Sequence, residues 1–205
     1  MARSLIVVDV QNDCCEGGAI GVGGGADVAF RIAEVLRAWQ EARLDPLADS
    51  PYDFVVATRD HHIDPGDHFS DRPDYVRSWP RHCLAGTDGA AFHPNLDPMP
   101  FDAIFDKGEY DAGTSGFQGA AHGVRLADWL REREVDRLDL VGIATDLCVR
   151  ATALDAARHG LATRVLLDLT AGMSRETTLR ALAEMRSAGV ALEGEPVVHP
   201  VPSSD

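Results

Sequence analysis

The sequence predicts a three-layer α/β fold, a mostly parallel sheet of about six strands with helices on both faces. Three observations carry that prediction. Short apolar, β-branched runs alternate along the chain with stretches of helical period, the pattern of a parallel sheet joined by crossover helices. The first run, Leu5–Val10, is apolar apart from Asp9, as a strand buried on both faces must be. The 205 residues are enough for one sizeable core and short for two, so residues 1–205 read as a single domain.

The elements follow in order. After the first strand, a Gly-rich stretch from Gly17 to Gly25 leads into a helix. Its apolar positions Val28, Ile32, Val35, Leu36 and Trp39 follow the helical period. Asp45-Pro46 to Ser50-Pro51 is a loop, and Phe54–Thr58 is the second strand. Residues 59–100 show no periodicity and hold five of the eight histidines; irregular segments of that length inside a domain are usually functional. Ala103–Phe105 is a short strand, a helix lies around Leu126–Arg133, and Leu138–Ile143 is the next strand. The pattern from Cys148 to His159 is helical, with Gly160 in the C′ role. Arg164–Leu169 is a strand, Ser174 caps a helix running to about Ser187, and Val190–Leu192 forms a last strand.

Composition excludes several classes of function. Acidic residues outnumber basic ones 33 to 19, for a formal charge of −14. A nucleic-acid binder needs the opposite balance, with clustered cations to displace counterions. No apolar run approaches the roughly 18 to 20 residues that span a bilayer. The first apolar run ends in Asp9-Val10-Gln11-Asn12-Asp13, not in a small-residue cleavage site, so a cytoplasmic location without membrane attachment is expected. Cys14, Cys15, Cys83 and Cys148 form no CxxC pair, which favours free thiols over a metal knuckle or a thiol redox protein.

In open α/β sheets, ligands bind beyond the carboxyl ends of the strands. Asp9, Asp60, Lys107 and Thr145–Cys148 each lie at or just past such an end. Cys148 stands at the predicted first turn of a helix, where unpaired N–H groups and the dipole lower a thiol's pKa. The same position equally suits a small buried apolar cysteine. Asp9 closes an apolar strand, so it is either a desolvated carboxylate able to take a proton or a turn-forming Asp. Lys107 can stabilise a carboxylate and a thiolate, although a lone Lys after a strand is more often solvated.

The segment from Asp60 through His61, His62 and Asp64-Pro65-Gly66 to His68, followed by His82, suits a borderline divalent ion. If the chain stays extended, Asp60 and His62 point one way and His61 the other. His-rich loops are also often merely solvated. His93, His122, His159 and His199 have no comparable neighbours in sequence and read as structural or exposed.

These motifs resemble the nicotinamidases and pyrazinamidases within the isochorismatase-like cysteine hydrolases. Val8-Asp9-Val10-Gln11-Asn12-Asp13 is similar to their opening motif. The run from Thr58-Arg59-Asp60 to His68-Phe69-Ser70, with Trp79-Pro80-Arg81-His82-Cys83, resembles their metal loop, the most specific part of the match. Lys107-Gly108 with Ser115-Gly116-Phe117 resembles their lysine segment, and Gly142–Val149 their nucleophile segment. The likeness runs from about residue 4 to 190 and implies an isochorismatase-like, Rossmann-like fold.

The resemblance also implies hydrolysis of nicotinamide to nicotinate and ammonia through a thioester, with pyrazinamide a plausible substrate and NAD salvage the setting. Cys148 would be the nucleophile, Asp9 the general base and acid, and Lys107 the third catalytic residue. Asp60, His62, His68 and His82 would hold one divalent metal ion (Zn, Fe or Mn), with waters completing the shell. The peptide between Ile143 and Ala144 would be cis, and the N–H groups of Ala144 and Cys148 would form the oxyanion hole. Trp79, Ile143 and Cys14 would line the substrate pocket. Cys14 stands where the family usually has Phe, and Thr114 where another aromatic is common. A sibling amidohydrolase acting on another small amide or a ureido compound is therefore the alternative reading, and a non-catalytic metal-binding module is the remote one. The implied partner is a small-molecule amide, not a nucleic acid or a membrane; monomer and homo-oligomer are both compatible.

Overall fold

Six strands run parallel through the sheet of the computed structural model, which describes residues 2–45 and 47–199. Pro46, in the predicted loop, lies outside the described residues, as do Met1 and residues 200–205. The strands are β1 (Ala2–Val8), β2 (Phe54–Asp60), β3 (Ala103–Lys107), β4 (Ala120–Ala121), β5 (Val124–Arg125), β6 (Val135–Ile143), β7 (Ala162–Ala171) and β8 (Ala191–Glu193). They lie in the order β5-β4-β3-β2-β1-β6-β7-β8. The count among described residues is thus eight and not about six. The two extra strands, β4 and β5, are two-residue antiparallel additions at the edge, too short to carry a periodic signal.

Helix α1 (Gly25–Leu44) packs on one face, while α2 (Leu126–Glu132), α3 (Arg150–Arg158) and α4 (Arg175–Ser187) pack on the other. The alternation of β1 divides the two cores. Leu5 and Val7 join Val28, Ile32, Leu36 and Trp39 of α1. Ile6 and Val8 join Leu126, Ala153 and Met185 of the opposite helices. All four strand residues are wholly buried, each apolar side chain contributing on the order of 1.5–3 kcal/mol. Ser174 caps α4 as expected, its hydroxyl accepting from Thr177 N at 3.2 Å. Gly160 takes the left-handed conformation after α3 (φ 76°).

Several boundaries move, each for a physical reason. β1 stops at Val8 and not Val10, because Asp9 adopts φ 48° and turns the chain out of the sheet. Asp is among the few residues that tolerate this conformation. β2 and β3 each run two residues further than predicted, since Arg59 and Asp106 are register partners and form a two-pronged ion pair at 2.5 and 3.1 Å. The helical backbone after β6 begins at Thr145 with a π-type turn, Thr145–Val149, not at Cys148.

The chain builds outward from β1 through β2 to β3, then returns to β6 on the other side of β1. This reversal makes the β1–β6 junction the topological switch point. Gly142 permits the close approach there: at φ 118°, a Cβ would sit 2.1 Å from the Val8 carbonyl oxygen.

Candidate active site

Extending β2 and β3 places Asp60 and Lys107 opposite each other in register at the carboxyl edge. Lys107, 2% exposed, directs its ammonium inward. Its Nζ donates to Asp60 Oδ1, lies 2.8 Å from Asp9 Oδ2 and reaches Cys148 Sγ at 3.8 Å. Asp9 is carried from the end of β1 by its left-handed turn, and its Oδ1 accepts a 2.7 Å bond from Thr58 Oγ1. Cys148 comes from the turn after β6. Ligand-type atoms of Asp9, Asp60 and Cys148 all lie within 4.8 Å of one another. The peptide from Ile143 to Ala144 is cis.

The electrostatics follow from burying one cation among three potential anions. Burial disfavours the charged form of Lys107, but Asp60 and Asp9 outweigh it and hold the ammonium well above its ordinary pKa. Burial raises Asp9 above the usual carboxylate range, with Lys107 opposing. Asp60 is also pushed up by burial, but Lys107 and His62 bring it below that range. The thiol of Cys148 is raised, not lowered as its helix-start position predicted. Burial dominates, Lys107 opposes, and Asp9 and Asp60 add to the rise. The resting pair is therefore a protonated thiol beside a carboxylate of raised basicity, a suitable start for proton transfer.

The three imidazoles of His62, His68 and His82 also converge, their candidate donor atoms within 4.8 Å of one another. His62 Nδ1 lies 2.5 Å from the Gly108 carbonyl oxygen and His82 Nδ1 lies 2.8 Å from that of Pro80. Each such contact needs the proton on Nδ1, which leaves the Nε2 lone pair bare. Those Nε2 atoms lie 3.9 and 4.0 Å from Asp60 Oδ2, and His62 Nε2 is buried without a hydrogen-bond partner among the described residues. Burial lowers the pKa of all three histidines, keeping them neutral, as ligands must be. Three neutral nitrogens and a carboxylate oxygen fit a borderline divalent ion. His61 turns away and pairs loosely with Glu109 at 3.4 Å. His93 serves as a local cap, and His122, His159 and His199 are exposed.

A cavity of about 170 Å³ bounded by Asp60, His68, Trp79, His82, Thr114 and Cys148 opens beside these groups. A smaller one of about 30 Å³, bounded by Asp9, Cys14, Ile143, Ala144, Leu147 and Cys148, adjoins it. Asp9, Asp60, Lys107, Trp79, Ile143, Ala144, Cys14 and the three clustered histidines therefore gather around Cys148. Sequence reasoning missed Thr58, the orienting carbonyls of Gly108 and Pro80, and the role of Gln11. The Gln11 amide clamps the Asp60 backbone at both N–H and C=O, each at 2.8 Å. Gln11, Thr58, Pro80 and Gly108 all lie within the quoted motifs, but no local spacing reveals these contacts.

Comparisons with known proteins identify the family and the fold. The isochorismatase domain model matches residues 3–195. The nicotinamidase/pyrazinamidase of Mycobacterium tuberculosis is 57% identical over 191 residues, spanning 93% of this chain and 97% of that protein. The structure of the Pyrococcus horikoshii pyrazinamidase in complex with zinc superposes with a TM-score of 0.75 at 35% identity, covering 97% of this chain and 100% of that one. PnC1 from L. infantum in complex with nicotinate gives 0.76 at 29% identity, with 97% and 96% covered. No helix among the described residues is long and apolar enough to cross a membrane.

Proposed function

The chain belongs to the isochorismatase-domain family, and on that premise we propose that it hydrolyses nicotinamide to nicotinate and ammonia through a thioester on Cys148. The carrying observation is the position of Lys107 Nζ, 2.8 Å from Asp9 and 3.8 Å from Cys148. Asp9 takes the thiol proton, and the thiolate attacks the carboxamide carbon. The oxyanion is met by the N–H groups of Ala144 and Cys148; one such donor is typically worth about 3 kcal/mol of barrier. Lys107 holds Asp9 in place and offsets the thiolate charge. Asp9 then returns the proton to the departing ammonia. In the second half-reaction Asp9 takes a proton from water, the hydroxyl attacks the thioester, and nicotinate leaves as the thiol is reprotonated.

Asp60, His62, His68 and His82 are the proposed ligands of one divalent ion, which when bound supplies a Lewis-acidic anchor for a substrate ring nitrogen. Trp79, Ile143 and Cys14 are proposed to line the ring's site. The whole chain, 1–205, is read as one such domain, with the ion held by its 59–100 segment. It is placed in the cytoplasm, in NAD salvage, with a small amide as its partner.

The test is ammonia release from nicotinamide by the metal-loaded protein and by Cys148→Ala, with mass spectrometry of the quenched wild type. A nicotinoyl adduct on Cys148 and loss of turnover in the variant are expected; turnover near wild type in Cys148→Ala ends the covalent scheme. A second reading, a sibling hydrolase of another small amide, is favoured by Cys14 and Thr114 at the cavity walls. A panel of amides decides between them, nicotinamide being the best substrate under the first reading.

A further inference from the structure

Cys14 and Cys83, 69 residues apart in sequence, bring their sulfurs to 3.9 Å in the buried layer beneath the catalytic cavity. Neither sulfur takes part in the bond-making steps of the proposed hydrolysis, although Cys14 is proposed to line the ring's site. Cys14 ends the short 3₁₀ turn Asn12–Cys14, and Cys83 sits in the irregular segment just after His82. Both lie outside regular helix and strand, so their side chains can shift without breaking a ladder. Their backbones are already clamped together, since Asp13, beside Cys14, accepts the Cys83 N–H at 2.7 Å. All four cysteines are free thiols.

We propose that Cys14 and Cys83 form an oxidation site, closing a disulfide under peroxide that switches the neighbouring catalytic cavity off. Three placements support this. First, Cys14 lines the inner cavity together with Asp9 and Cys148, which offers a small oxidant a route to an otherwise buried pair. Second, a disulfide needs the sulfurs at about 2.0 Å, so closing it from 3.9 Å moves one or both side chains by nearly the width of an atom. Third, each side chain is tied to the site. Cys14 forms part of the cavity wall. Cys83 follows His82 directly, and its carbonyl accepts the His62 N–H at 3.0 Å. The closed bond therefore pulls on the cavity wall and on the backbone carrying two of the three clustered imidazoles.

The chemistry balances with hydrogen peroxide as the oxidant. One sulfur attacks a peroxide oxygen, the O–O bond breaks, and the thiol proton leaves with the departing hydroxide as water. The second sulfur attacks the resulting sulfenic acid, its S–O bond breaks, and a second water departs. Two thiols give up two electrons, and one peroxide becomes two waters.

The experiment uses full-length, metal-loaded protein treated with graded hydrogen peroxide, alkylated and digested without reductant. A peptide pair joined through Cys14 and Cys83 is expected, with free thiols falling from four to two in the linked protein. Ammonia release from nicotinamide should fall at least tenfold in step with the link and return with dithiothreitol. Cys83→Ser should resist this reversible loss. Finding Cys14 and Cys83 still alkylatable at doses that oxidise Cys148 would overturn the proposal. So would equal inactivation of wild type and Cys83→Ser, or linked protein that turns over at the reduced rate. The wild-type peptide map holds even if Cys83→Ser does not fold. It is also read without any turnover assay, whereas an unoxidised protein inert on every amide tells against the hydrolase reading instead.

Discussion

Asp60 and Lys107 are register partners on neighbouring parallel strands, and their charged ends meet at the buried carboxyl edge of the sheet. The ammonium is shared with Asp9 at 2.8 Å, so one cation serves two buried carboxylates.

Removing that cation should be costly in two ways. Lys107→Met leaves Asp9 and Asp60 buried without a counter-charge, and breaking a buried pair from one side typically costs about 3 kcal/mol or more. The urea midpoint of the variant should fall accordingly. Ammonia release should be lost even under conditions where the variant is fully folded, because Asp9 is no longer oriented. A variant as stable as wild type would show that the pair is solvated.

Metal content should depend on the imidazole cluster. His68→Ala removes one of three converging nitrogens and leaves three of the four proposed ligands, so zinc retained after gel filtration, measured by atomic absorption, should fall well below the wild-type content of about one ion per chain. Ions bound only to the folded state also stabilise it, by about 2.7 kcal/mol at a hundred times Kd. A chelator should therefore lower the wild-type melting temperature and leave that of His68→Ala nearly unmoved.

A pH effect is expected at the start of α1. Glu16 accepts the Gly24 N–H at 2.5 Å and the Ala26 N–H at 2.9 Å. Partial burial raises its pKa, but these N–H bonds outweigh it and hold the carboxylate below its ordinary value of 4.5. A depressed acid stabilises the fold above its unfolded pKa and loses that contribution as pH falls through the folded one. Glu16→Gln should thus be less stable than wild type at pH 7 by roughly 0.3–1 kcal/mol, the usual worth of a negative charge at a helix N-terminus. The gap should narrow as pH drops below 4.5; a gap independent of pH would contradict the assignment.

Asp139 tests stability away from the chemistry. Within β6 and 1% exposed, it accepts from Tyr52 Oη at 2.9 Å and from Arg164 at 2.9 and 2.7 Å. Burial and then Asp139 itself raise the Tyr52 hydroxyl pKa, so the hydroxyl stays a donor. Asp139→Ala leaves the buried Tyr52 hydroxyl without its acceptor and Arg164 with Glu193 alone, and should lower unfolding free energy by about 2 kcal/mol. Activity per folded molecule should stay near wild type, read as kcat below the variant's melting transition.

Much of this was legible in the chain. Strand and helix order came from periodicity, the end of α3 from Gly160 and the start of α4 from Ser174. The proposed catalytic and metal positions stood out because charged, thiol and imidazole groups followed apolar runs, where a parallel sheet gathers its ligands. Boundaries were less legible. Arg59 and Asp106 read as loop residues until their mutual ion pair made them strand. The same holds for β4 and β5, which exist only because β3 offers them an edge.

What the sequence alone determined was the set of elements, their faces and the residue types at strand ends, because these depend on local spacing. Tertiary structure decided which groups touch and in what protonation state. Asp60 and Lys107 lie 47 residues apart, and only sheet register makes them partners. The direction of the Cys148 shift also reversed, since a helix start lowers a thiol's pKa locally, whereas burial among Asp9 and Asp60 raises it more. Burial is a property of the assembled neighbours, and no run of consecutive residues encodes it.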